Sequence, residues 1–213
     1  MDRNRGIGGS EVAAILGISP WETPLQVYAR KVGLIEGSEP TLVMKVGKAL
    51  ETLLLEEYGR HVNHIVVHNT ETFAHPTVPW RLATPDGFVL GRDRSVLWGV
   101  EVKTSSNGVG WGHEESAIPE HYLVQVLWYR NVMSDYYRMD IPWLDVVCLI
   151  GNKELRFYRI YKDDELEQML LEKVDTFWKE HVEKEIPPAP SSFRDRQITQ
   201  RLEQKETDYK VAS

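Results

Sequence analysis

The chain has 213 residues, a formal net charge of -7, 42% hydrophobic and 27% charged residues, and a single cysteine. This is an ordinary soluble composition, enough for one real core, and it excludes an intrachain disulfide and any zinc or iron–sulfur cluster built on cysteines. No run is long enough to span a bilayer, MDRNRGIGG has no apolar signal core, and the acidity taken alone argues mildly against a nucleic-acid partner.

In chain order, SEVAAILG reads as a short helix with Ser10 as N-cap and Gly17 as its stop. In TPLQVYARKVG, Thr23 caps a second helix, Pro24 takes its first position, Gln26 completes a capping box and Gly33 ends it. LVMKVGKALETLLLEEYG sets Leu42, Val46, Leu50, Leu53, Leu54 and Tyr58 near helical spacing, with Gly47 out of place inside it. The pattern then changes to short branched and aromatic runs, HIVVH, WRLATPD, GFVLG and SVLWGVEVK, which read as strands. Gly91 to Arg94 is the turn between the last two. Helical spacing returns after Pro119 in IPEHYLVQVLWYRNVM. WLDVVCLIG and LRFYRIY are two more strands, and Cys148 in the first is expected as a buried thiol, which fits a reducing cytoplasm. DDELEQMLLEKVDTFWKEHVEKE is a long amphipathic helix stopped by IPPAP. The polar stretch from Ser191 has little apolar content and is expected to be loosely attached or to pack on a partner. This order predicts an α/β sandwich with a mixed central β-sheet flanked by helices. The lone helix between SVLWGVEVK and WLDVVCLIG would be a parallel crossover.

One constellation carries chemistry. Glu101 and Lys103 sit two apart in GVEVK, so a strand points both to one face while Val100 and Val102 point to the other. A hairpin folded at Gly91–Arg94 brings Asp86, in its Pro-Asp-Gly turn, beside them. Two carboxylates and the Val102 carbonyl make a hard-oxygen site suited to Mg2+ or Mn2+, where Lys103 would orient water or steady charge on a phosphate. Phosphodiester hydrolysis needs that set of parts. The plainer alternatives are a turn aspartate and a solvated edge strand.

Further residues keep them company. Glu51, among apolar neighbours in VGKALETL, offers a third carboxylate or is an exposed helix position. Tyr122, Gln125 and Tyr129 share one helix face, and a glutamine on an aromatic stripe wants a hydrogen-bonding partner, unless it is a boundary position. Ser10 in GIGGSE, with Arg3 and Arg5 before it, suits a phosphate, or is a plain N-cap.

In this order the pieces resemble the YqaJ-type viral recombinase nucleases, the phage lambda exonuclease family of the PD-(D/E)xK superfamily. The matching stretches are RNRGIGGSEVAAILGISPWETPLQVY, GKALE, ATPDG, GVEVK and IPEHYLVQV. The resemblance implies a restriction-endonuclease-like core, with a single nuclease domain over residues 1–190 and a polar C-terminal tail over 191–213. It implies Mg2+-dependent 5′-to-3′ digestion of one strand of duplex DNA from an end, leaving 3′ single strands for recombination. By position, Asp86 and Glu101 would be metal ligands with the Val102 carbonyl, and Lys103 would be catalytic. Glu51 would assist through water or a second metal, and Gln125, with Tyr122 beside it, would support the lysine and water. Ser10, Arg3 and Arg5 would hold the 5′-phosphate. The implied partners are double-stranded DNA ends, two further copies in a homotrimeric ring and a single-strand annealing protein, with no membrane. The implied setting is the cytoplasm of a bacterial host of phage or prophage. A ring would reconcile the acidity with DNA, since only a channel lining need be positive. Two rivals stand beside this reading: another nuclease of the superfamily, such as a repair endonuclease, and a DNA-end-binding protein without catalysis.

Overall fold

Period-two alternation of branched and aromatic residues builds the centre of the molecule, and helices close over both faces of the sheet it forms. The computed structural model describes residues 5–114 and 117–212, with side chains up to residue 204. The elements run β1 (Ile7–Gly8), α1 (Gly9–Ile15), α2 (Pro24–Lys31), α3 (Leu42–Val62), β2 (Ile65–His68), β3 (Phe73–Ala74), β4 (Arg81–Ala83), β5 (Gly87–Leu90), β6 (Val96–Ser105), α4 (Glu120–Tyr137), β7 (Trp143–Ile150), β8 (Glu154–Tyr161), α5 (Asp164–Phe177) and α6 (Arg196–Ala212). One sheet has the order β2-β5-β6-β7-β8, and a smaller one has the order β1-β4-β3. In the larger sheet β6 and β7 are parallel and the other pairs antiparallel. A parallel neighbour needs a crossover, and α4 supplies it.

The helices divide between the two faces of β6. Gly99 lets α4 approach: a Cβ there would lie 3.0 Å from Met133 Sδ. That face also carries Glu101 and Lys103. On the opposite face, a Cβ on Gly47 would lie 3.5 Å from Thr104 Oγ1, so the glycine out of place in α3 marks where that helix crosses the end of β6. Further along α3, Tyr58 donates to the buried Asp145 of β7, which also takes two hydrogen bonds from Arg159.

Two expectations need correction, Ser10 as a cap and the loose tail, and the spacing in α3 needs a bound. Helical spacing in α3 does not mark a buried stripe along its length, because Leu54, Leu55 and Tyr58 are in the core while Leu42, Val46 and Leu53 are exposed. The first residues of α3, 42–46, are exposed to solvent. Ser10 is not the cap of α1. Gly8 is, and Glu11 Oε2 accepts from its N–H at 2.9 Å, so Ser10 lies one residue inside the helix and faces solvent. The polar stretch from Ser191 is anchored where it begins. Asp195 is fully buried and accepts from Thr23 Oγ1 at 2.5 Å and from the Ser191 and Ser192 amides, and Ile198 is buried behind it.

Candidate active site

The site lies where β5 begins, because the hairpin register puts the Pro-Asp-Gly turn there. Gly87 pairs with Val100, so the residue before it meets the next stretch of β6. Asp86 Oδ2 accepts from the Val102 N–H at 2.8 Å, in effect extending the β5 edge with a side chain. A residue in a strand presents its N–H and C=O to the same side. The Val102 carbonyl therefore points toward the same edge as Asp86. The turn is held from β2: the Asn69 N–H donates to the Asp86 carbonyl at 2.8 Å, and Asn69 Nδ2 to the Pro85 carbonyl at 2.8 Å. No spacing rule points to Asn69 from the sequence.

Glu101 is 3% exposed. Its Oε1 accepts from Lys103 Nζ at 2.6 Å and from Gln125 Nε2 at 2.7 Å. Its Oε2 is buried and has no hydrogen-bonding partner. Gln125 also donates to Tyr129 Oη at 3.3 Å, and Lys103 Nζ stands 4.7 Å above the Tyr122 ring. The predicted Tyr122–Gln125–Tyr129 face of α4 is thus the wall of the site. Gln125 meets the lysine through their shared carboxylate oxygen.

The charges are mismatched. Burial, then the neighbouring Asp86, push the Glu101 carboxyl up to about 8. Burial likewise raises Asp86, against the opposing pull of Lys103 and the Val102 N–H. Burial alone would lower Lys103, but Glu101 and Asp86 outweigh it and its shift is upward, so the amine is held as an ammonium. Lys103 serves both buried acids, Lys48 acts on Asp86 as well, and both acids also feel Glu51. Glu51, half-buried on α3, accepts from Lys48 Nζ at 2.7 Å and contacts His68 Nε2 at 3.2 Å. Lys48 lies beside Glu51 in GKALE, whereas His68 comes from β2 and no spacing in the sequence points to it.

Among the described residues no three His, Cys, Asp or Glu side chains converge as a ready-made metal cage. A divalent cation such as Mg2+ does not need one: it commonly takes one or two carboxylates and completes its shell with waters and substrate phosphate. An orphaned carboxylate oxygen on Glu101, Asp86 beside it, the Val102 carbonyl and a deficit of positive charge fit that donor set.

The structure brings Asp86, Glu101, Val102, Lys103, Tyr122 and Gln125 together, and Glu51 is near enough for its charge to act on Asp86 and Glu101. Ser10 is outside this cluster and exposed, on the helix α1 whose Gly9 packs closely on α4 at Tyr129 and the Gln125 carbonyl. Arg5 is exposed before β1, and Arg3 lies outside the described residues.

The model of the YqaJ-like viral recombinase domain matches residues 1–134. The uncharacterized protein YqaJ of Bacillus subtilis (strain 168) is 32% identical over 185 residues, 85% of this chain and 55% of that protein, so the chain spans about half the length of this curated relative. The alkaline exonuclease LHK-Exo from Laribacter hongkongensis has a TM-score of 0.63 at 18% identity, over 93% of this chain and 95% of that one. A phage related exonuclease from Haemophilus somnus 129PT gives a TM-score of 0.57 at 12% identity, over 82% and 92%. The shared part is the restriction-endonuclease-like core of the PD-(D/E)xK fold: a mixed five-stranded sheet flanked by helices.

Proposed function

The chain belongs to the YqaJ-like viral recombinase family, and we propose that it is a Mg2+-dependent exodeoxyribonuclease that digests one strand of linear duplex DNA from its 5′ end. The observation that carries this is Glu101: a buried carboxylate with one oxygen held by Lys103 and Gln125 and the other without a partner, in a pocket short of positive charge. A purely structural ion pair would bring both oxygens into hydrogen bonds.

In this reading Asp86, Glu101 and the Val102 carbonyl hold the metal, with Mn2+ able to substitute. The metal supplies Lewis acidity toward a phosphoryl oxygen and an activated water. The protein's own groups do the positioning. The Val102 N–H fixes the Asp86 carboxylate. Gln125 fixes the Glu101 carboxylate from the crossover helix. Lys103, protonated and resting on Tyr122, faces the phosphate and stabilises charge as it develops there. Since its ammonium has no lone pair, Lys103 donates rather than acting as the base. Glu51 stands behind Asp86 as a further acceptor for water. Ser10, Arg3 and Arg5 hold the 5′-phosphate.

Strand polarity, a trimeric ring and action with a single-strand annealing protein belong to the same reading and draw on the family. So does a site of action in the cytoplasm; no helix among the described residues is long and apolar enough to cross a membrane.

The test is digestion of three duplexes with and without Mg2+: linear 5′-phosphorylated, linear 5′-hydroxyl and covalently closed. Mg2+-dependent loss of the linear forms, 5′-phosphorylated fastest, with the closed form intact, is expected. Equal cutting of closed and linear DNA would turn the reading to an endonuclease, and binding without cutting to an end-binding protein.

A further inference from the structure

A lone exposed apolar side chain needs no explanation. Trp21 is a different case. It is 63% exposed, yet the chain around it is clamped. Ser19 Oγ accepts from the Trp21 and Glu22 amides, both at 3.2 Å. Arg194 Nη1 donates to the Pro20 carbonyl at 2.9 Å, and Thr23 donates to the buried Asp195 at 2.5 Å. The anchored start of the C-terminal segment therefore braces this loop. The indole stands edge-on to His121, with centroids 4.8 Å apart, and 6.0 Å from the Tyr122 ring, which carries Lys103 Nζ at 4.7 Å on its own face. Trp111 packs on Tyr122 from another side at 5.5 Å. An aromatic run thus leads from the solvent to the lysine, and its outermost member sits on a clamped loop and is uncovered.

We propose that Trp21 is a stacking platform for one unpaired nucleobase of the strand whose phosphate lies against Lys103. Stacking on an aromatic ring is tolerant of sequence because every base has a π-face, and a rigid ring loses little entropy on binding. A platform at the end of the run would hold a frayed terminal nucleotide out of the duplex and so aim its phosphodiester at Asp86, Glu101 and Lys103. This rests on the nuclease reading for its substrate. Trp21 makes no contact with the reacting groups and is a positioning residue.

The test couples protein and base. Wild type, Trp21→Ala and Trp21→Phe are titrated in EDTA with fluorescent duplexes whose 5′ strand carries an abasic nucleotide at the first, second or third position, or none. Cleavage of the same set is followed separately with Mg2+. For the unmodified duplex, Trp21→Ala weakens binding about tenfold, the order of one base–aromatic stack, and Trp21→Phe retains most of it. One abasic position costs the wild type a similar factor and costs Trp21→Ala nothing more. An equal abasic penalty in wild type and Trp21→Ala at every position overturns the proposal, as does unchanged DNA affinity in Trp21→Ala, the result if the indole docks a protein. Coupling without cleavage by the wild type would sink the nuclease reading and leave the platform standing; cleavage without coupling would do the reverse.

Discussion

Gln125 on the crossover helix donates to Glu101 on the central strand at 2.7 Å, and both residues are buried. This bond ties α4 to β6 at a buried carboxylate whose other oxygen, Oε2, has no hydrogen-bonding partner. Gln125→Leu removes it at nearly constant volume. Partners that hold a metal ligand typically contribute about 10- to 100-fold in metal affinity or activity. A loss of that size in Mg2+-dependent cleavage is expected, with DNA binding retained. Steady-state cleavage with a Mg2+ titration reads it; unaltered Mg2+ dependence would assign Gln125 to packing alone.

Gly9 sets how closely α1 approaches α4. A Cβ there would fall 2.5 Å from Tyr129 Cε1 and 2.9 Å from the Gln125 carbonyl. Gly9→Ala is therefore expected to cost about 1–3 kcal/mol of stability through overpacking and to disturb Gln125 as well. Ser10→Ala, one residue on and exposed, should stay within about 0.5 kcal/mol. Urea denaturation of the two variants side by side makes the comparison, and equal midpoints would refute the close approach.

Arg130 and Glu167 form a buried ion pair between α4 and α5, and Arg130 Nη1 also donates to the Ile141 carbonyl at 2.7 Å. Removing one partner strands a buried charge, so Glu167→Leu should destabilise by about 3–5 kcal/mol. Arg130→Met combined with Glu167→Leu should recover much of that loss. A strictly additive double variant in denaturant unfolding would contradict this.

Cys148 is buried on β7, and burial pushes its thiol up to about 12. The thiolate is the reactive form, and almost none exists at pH 8 with such a value. Iodoacetamide should leave the native protein unmodified at pH 8 and alkylate it promptly in urea, as intact mass would report. Equal rates in both conditions would mean that the strand is open to solvent.

The part of the site closest to the chemistry was legible because it is local. A turn signal at Gly91–Arg94 and period-two alternation predict the hairpin; a register shift between Val89 and Leu90, which the sequence does not reveal, then pairs Gly87 with Val100 and leaves the Asp86 carboxylate to accept from the Val102 N–H. The Tyr122, Gln125 and Tyr129 face followed from helical spacing, and the crossover from the lone helix between two strands. What escaped depends on contacts between distant segments. Spacing sets Leu42 and Val46 in one helical pattern with Leu54 and Tyr58, but it does not show that only the latter two reach the core. A serine after two glycines resembles a cap, yet Glu11 bonds back to Gly8 and moves the helix start upstream. The two-residue strands β1 and β3 are too short to leave a pattern. Asp195 looked like part of a polar tail because its partner, Thr23, lies at the other end of the chain.

The most direct measurement is the rate at which Lys103→Ala cleaves an end-labelled, 5′-phosphorylated linear duplex in Mg2+, read beside its affinity for the same DNA in EDTA. The ammonium at position 103 is the positive charge that acts on both buried acids, Asp86 and Glu101. Its removal should lower cleavage by roughly 100-fold or more, the scale of losing one pre-placed donor at a developing charge, while binding persists. A variant that cuts as fast as wild type would show that phosphodiester hydrolysis, if present, takes place elsewhere in the molecule.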